Sequence, residues 1–251
     1  MPGTIIAALR WLAPLAALFS TQLFAAQTQV AVAANFTEPA KRIAAAFETA
    51  TGHKAALAFG ASGAFYTQIS HGAPFDIFLS ADAGRPAQVE QAGLSVTGSR
   101  FTYAVGRLVL YSTTPGLVDA NGAVLKTRKF EKVAIADPAT APYGQAAIET
   151  MKALGAYDAL RSKVVTGSSI AQAYQFTSTG AAQLGFVALS QVIATPGGSR
   201  WIVPARLHAA IDQQAVLLKT GATNPAATAF MRFLKGRTAL AIVRRYGYAT
   251  R

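Results

Sequence analysis

The chain contains no cysteine, so disulfides, thiolate metal sites and cysteine nucleophiles are excluded from the outset, while an exported location stays open. Acidic residues are scarce: 11 Asp and Glu stand against 23 Lys and Arg, a formal charge of +12. An excess of that size can serve a nucleic acid or an anionic surface. Here the bases are scattered, apart from 126–132 and an acid-free C-terminal stretch, 232–251. Neither stretch carries the interleaved aromatics of a nucleic-acid groove. The surplus reads as a solvated surface that mildly attracts small anions, and no nucleic-acid partner is expected. Histidine is rare too. His53, His71 and His208 have no metal-ligand spacing and no obvious triad partner, and the glycines beside His53 and His71 place those two at solvated helix ends.

Long apolar runs are missing beyond the first residues, so no segment of the remaining chain is expected to cross a bilayer. The first residues are laid out as a secretory signal peptide. Arg10 precedes a short apolar core, 11–19, and the small pair Ala25-Ala26 comes before Gln27-Thr28-Gln29. Leu23 or Phe24 falls where a small residue is preferred, and no cysteine is present for lipid attachment. Residues 1–25 are therefore expected to be removed on export. The mature chain is long enough for one large domain or two small ones.

What is present is an alternation of strand and helix. A strand near 29–32 leads to Asn35, a good N-cap, with Glu38 three places on as in a capping box. Ile43, Phe47 and Ala50 then share one helix face, and Gly52 stops the helix. Strands at 55–59 and 75–79 enclose a second helix, and a third starts near Pro86. This spacing means parallel βαβ units with ligands at the carboxyl ends of the strands. After a β-rich crossing, 101–112, the pattern restarts: strands at 132–136, 164–165 and 184–189, with helices carrying Ile148, Met151 and Leu154, then Ile170, Ala173 and Tyr174. A returning strand, 215–219, and a final helix from Pro225 complete two similar α/β lobes joined by two crossings.

The stretch Phe59-Gly60-Ala61-Ser62-Gly63-Ala64-Phe65 sits where a strand ends and a helix begins. Its small uncharged residues let a ligand approach the backbone. Ser62 can cap the helix or donate its hydroxyl proton, and the helix N-terminus favours an anion. The same residues nearly match the nucleophile elbow of a serine hydrolase, but the second glycine is displaced and position 64 is Ala. An exported serine hydrolase is accordingly the alternative from another class.

Together, several blocks resemble the periplasmic molybdate-binding protein (ModA) family, the solute receptors of molybdate ABC importers. They are Val32-Ala33-Ala34-Asn35-Phe36, Phe59-Gly60-Ala61-Ser62-Gly63 and the run from Gly72-Ala73-Pro74-Phe75-Asp76 to Ser80-Ala81-Asp82. Ala136-Asp137-Pro138, Pro142-Tyr143-Gly144, Leu184-Gly185-Phe186-Val187 and Arg245-Tyr246-Gly247-Tyr248 follow in order. The resemblance implies an α/β type II periplasmic-binding-protein fold: two Rossmann-like lobes, 26–104 plus 206–251 and 105–205, joined by hinge crossings near 101–107 and 203–208. It also implies a monomeric periplasmic receptor, not an enzyme, that needs no cofactor. Such a receptor binds molybdate or tungstate and docks on an ABC permease in the inner membrane.

Carried over by position, the resemblance assigns the ligand to Asn35 with Ala34 beside it, Ser62, Tyr143 and Ile170, the last through its backbone N–H. Asn35, Ser62, Tyr143 and Ile170 would meet the metal as its oxyanion and not as a bare cation. Where many relatives have a Tyr whose hydroxyl reaches the anion, this chain has Ala188, and the missing phenol is assigned to Tyr143. A fully ionised tetrahedral dianion only accepts hydrogen bonds, so neutral donors suit it without the cost of burying a cation. No acid occupies the expected contact positions; Asp76 and Asp82 are expected to brace the loops. Sulfate offers the same charge and acceptors, so a receptor for sulfate or another oxyanion is the alternative within the class.

Overall fold

The computed structural model describes residues 25–127 and 129–250, so the expected signal peptide lies outside the described residues except for Ala25. Two five-stranded sheets form the frame. The first contains β1 (Gln27–Ala33), β2 (Lys54–Gly60), β3 (Ile77–Leu79), β4 (Phe101–Gly106) and the late strand β10 (Ile211–Leu217), in the order β2-β1-β3-β10-β4. The second contains β5 (Leu108–Ser112), β6 (Val133–Ala136), β7 (Val164–Gly167), β8 (Leu184–Ala188) and β9 (Ser199–Ile202), in the order β7-β6-β8-β5-β9. In each sheet four strands run one way, and the fourth in the order, β10 in the first sheet and β5 in the second, runs against them. The chain passes from one lobe to the other between β4 and β5, at Arg107, and returns between β9 and β10, across 203–210.

The helices are α1 (Thr37–Thr51), α2 (Ser62–Ser70), α3 (Gly84–Gln91), α4 (Val124–Thr127), α5 (Pro142–Ala153), α6 (Tyr157–Leu160), α7 (Ile170–Ser178), α8 (Leu189–Val192), α9 (Pro225–Leu234) and α10 (Arg237–Arg245). Strands covered on both faces read as unbroken apolar runs, as Val30, Ala31 and Val32 do at zero exposure. Helix α1 buries Ile43 and Phe47, and Phe47 meets Phe230 of α9 edge-on at 5.1 Å. Burying side chains of that size contributes roughly 1.5–3 kcal/mol each. Gly52 ends α1 in the left-handed region at φ 73°, where it returns its N–H to Glu48.

Local signals were overridden at four places. Asn35 does not cap α1. Residues Ala34–Phe36 form a short 3-10 turn, and the buried Asn35 side chain points inward to Gln213 and Tyr248. Glu38 pairs with Lys41 at the surface instead of closing a capping box. Ser62 is the first residue of α2 and not its cap, because its Oγ accepts the N–H of Ala81 at 2.9 Å. His53 is buried, its Nδ1 accepting the N–H of Ala26 at 3.1 Å, while His71 remains exposed. Other differences concern elements: β9, α4 and α6 carried no clear signal, and Gly236 splits the C-terminal helix into α9 and α10.

Candidate ligand-binding cavity between the lobes

The carboxyl ends of β1, β2 and β3 face those of β6 and β7 across the gap between the sheets. Residues from these ends line one cavity of ≈ 10 Å³: Ala33, Ala34, Asn35, Gly60, Ala61, Ser62, Ala81, Ala141, Pro142, Tyr143 and Ile170. That is about the room of a single water, so the lobes must part to admit anything larger. All five residues expected from sequence, Ala34, Asn35, Ser62, Tyr143 and Ile170, come together here. Ala188, buried at the end of β8, is not among the lining residues.

Three helices begin at this cavity. Ser62 opens α2, Tyr143 is the second residue of α5, and Ile170 opens α7. The N–H groups of a first turn have no partner within their own helix, and the dipoles put partial positive charge at the same end. Pro142 at the start of α5 loses nothing by lacking an N–H there. Gly144, next in α5, lets the helix lie close to β6: a Cβ would stand 2.1 Å from the carbonyl oxygen of Ala136. The lining carries no charged side chain. Ser62 is buried, and since its Oγ accepts from Ala81, its proton is left to give. Among the described residues no base is hydrogen-bonded to it, as a hydrolytic nucleophile would require.

Behind the lining lies a polar cluster that local sequence signals did not reveal. Gln213 on β10 accepts at Oε1 from Asn35 Nδ2 (2.9 Å) and from the Tyr103 hydroxyl (3.1 Å). Its Nε2 donates to the Tyr143 hydroxyl at 3.3 Å. The Tyr248 hydroxyl donates to the Asn35 carbonyl at 2.8 Å and lies 2.9 Å from Ser190 Oγ, which donates to the same carbonyl at 2.8 Å. A register shift between Gln213 and Gln214 in the β10–β4 pairing makes Tyr103 the extra residue and turns it into this cluster. The signal was faint but present: Gln213 occupies the buried register of a strand that alternates Ile211, Gln213, Ala215, Leu217.

The Tyr143 phenol also has neighbours within the protein. Its hydroxyl meets Gln213 and lies against the crossing, where a Cβ on Gly106 would come within 2.2 Å of it. Burial drives the Tyr103 and Tyr143 hydroxyls well above the ordinary phenol range, and pushes Tyr248 up to about 12. All three stay neutral.

Outside the cavity a charged rim also joins the lobes. Arg85 pairs with Asp82 and donates from Nη2 to the carbonyl of Ala139 at 2.9 Å, while Gly63 N–H reaches Thr140 O at 2.8 Å. Asp76 braces β1 as expected, accepting from Thr28 Oγ1 and Gln29 N–H.

Two lobes closing on a neutral, donor-lined cavity at their strand ends define a solute-binding protein of the two-lobed α/β type. Consistent with that class, the family model for bacterial extracellular solute-binding proteins matches residues 28–249. The chain is 60% identical over 226 residues to the molybdate-binding protein ModA of Rhodobacter capsulatus, covering 90% of this chain and 89% of that one. Identity to the Azotobacter vinelandii ModA is 53% over 236 residues, 93% of this chain and 94% of the relative. A solved structure of the periplasmic molybdate-binding protein from Azotobacter vinelandii matches with TM-score 0.87 and 41% identity, covering 89% of this chain and 99% of that one. The chain belongs to the ModA family.

Proposed function

We propose that this protein is the periplasmic receptor of a molybdate importer. It binds molybdate between its lobes, and tungstate through the same contacts, and as a monomer delivers the anion to an ABC permease in the inner membrane. The observation that supports this reading is the convergence of three helix N-termini and the Ser62 hydroxyl on one uncharged cavity. Each oxygen of a tetrahedral dianion accepts, and every one of these groups donates. The amides of Ser62, Tyr143 and Ile170 come from both lobes, so the anion itself completes the closure and relative motion about 107 and 203–210 opens the site. Hydrogen phosphate would need a buried acceptor for its proton, and no carboxylate lines the cavity. Sulfate matches in charge, which leaves cavity size as the discriminator.

A thermal-shift screen of oxyanions on the mature protein tests the reading. Ligand at ~100 times its dissociation constant adds about 2.7 kcal/mol of stability. Molybdate and tungstate should raise the melting temperature while sulfate and phosphate leave it unmoved. A shift with sulfate alone would replace molybdate by sulfate.

A further inference from the structure

Asn35 lines the cavity, yet its amide is turned the wrong way for an anion. Nδ2 donates to Gln213 Oε1 at 2.9 Å and to the Tyr248 hydroxyl at 3.0 Å, and Oδ1 is left buried with no hydrogen-bond partner. An orphaned acceptor is costly on its own and repels an oxyanion beside it. Reversing the two amides together removes both faults, since the oxygen and nitrogen of a primary amide occupy nearly the same space. Gln213 Nε2 then donates to Asn35 Oδ1, and the Tyr143 hydroxyl donates to Gln213 Oε1. Tyr103 keeps its bond to the Ser80 carbonyl at 3.1 Å; Tyr248 turns its proton to Asn35 Oδ1, and Ser190 alone keeps the Asn35 carbonyl at 2.8 Å. Asn35 Nδ2 is released as a donor toward the cavity.

We infer that Gln213 is a positioning residue for anion binding: it sets the orientation of the Asn35 amide, and the oxyanion is held with the Asn35–Gln213 pair reversed. The inference rests on the reading of the cavity as an oxyanion site. It explains why a fully buried glutamine stands on the apolar register of β10, in reach of both lobes. In either orientation a Tyr143–Gln213 bond ties α5 to β10 across the hinge, so the side chain that orients the donor also links the lobes.

The test is a calorimetric cycle with sodium molybdate on the wild type, Gln213→Met, Asn35→Ala and the double variant. Gln213→Met should weaken binding at least roughly tenfold alone but less than about twofold in the Asn35→Ala background, because its effect travels through Asn35. Losses of equal size in both backgrounds overturn the inference. Independently of whether the variants fold, nitrogen-15 spectra of the wild type should show the side-chain amides of Asn35 and Gln213 both shifting when molybdate is added. A shift of the Ser62 backbone amide with both side-chain amides unmoved would also overturn it. Absence of any molybdate binding by the wild type would remove the functional reading and this inference with it.

Discussion

The cavity and the rim beside it join the same two lobes by opposite means. The rim uses charge: the Arg85–Asp82 pair, with side chains 20% and 22% exposed, reaches across to the Ala139 carbonyl. The cavity uses none, although the chain carries a surplus of twelve positive charges. Water screens charge at the rim and makes it inexpensive, whereas a buried cation would have to give up its hydration. Helix N-termini and a hydroxyl hold an anion without that cost. The difference separates attraction, which the basic surface supplies to any anion, from selection, which belongs to the neutral interior.

The largest expected effect comes from putting the rim's chemistry into the cavity. Ser62→Asp places a carboxylate against the dianion, where like charges cost several kcal/mol, and should abolish molybdate binding by calorimetry. Ser62→Ala removes only a donor and should cost roughly 1–3 kcal/mol. Equal affinity of Ser62→Ala and wild type would take the hydroxyl out of the site.

Next is the wall behind the cavity. A methyl group at Gly106 would stand 2.2 Å from the Tyr143 hydroxyl and 2.7 Å from Gln213 Nε2. Gly106→Ala should destabilise the fold by about 1–3 kcal/mol, as overpacking does. Tyr143→Phe in the same chain should restore part of that loss in a denaturant melt. No relief would mean that the hydroxyl is not what the crossing accommodates.

Arg85→Ala touches the rim alone. Molybdate affinity should fall by no more than about 1 kcal/mol, the range of an ion pair that water still reaches, with the loss shrinking as salt is raised. A hundredfold loss, about 2.7 kcal/mol, would move the seat of binding to the rim and dissolve the contrast.

The smallest effect is with pH. Molybdate affinity should stay flat from about pH 6 to 9, because the buried phenols keep their protons throughout that window. Stability should be undiminished below pH 10 and fall as pH rises further: an unfolded tyrosine ionises near 10, while folded Tyr248 holds its proton to about 12. Each such tyrosine removes about 1.4 kcal/mol per pH unit in that interval. A melting temperature level through pH 11 would contradict the burial of these hydroxyls.

Much of this was legible from residues alone, because the signals were local and repeated. Parallel βαβ spacing and the small residues at Gly60-Ala61-Ser62 each act within a few residues, and they placed the cavity at the strand ends. The misreadings share one cause. Asn35 has the side chain of an N-cap, but partners 178 and 213 residues away, Gln213 and Tyr248, outcompete the helix it precedes. The Tyr143 phenol has neighbours of the same remote kind, Gln213 and Gly106, on strands far away in sequence. Long-range polar partners leave little periodicity to read; the lone mark is a glutamine on an apolar register.

Anomalous diffraction from crystals of the mature protein grown with molybdate puts the central claim to its most direct trial. One molybdenum peak should lie within the cavity, with the Ser62 hydroxyl and the first-turn amides of α2, α5 and α7 in hydrogen-bond reach and no Lys or Arg nitrogen in contact. A peak at Arg85, or an anion coordinated by any basic side chain, would contradict it.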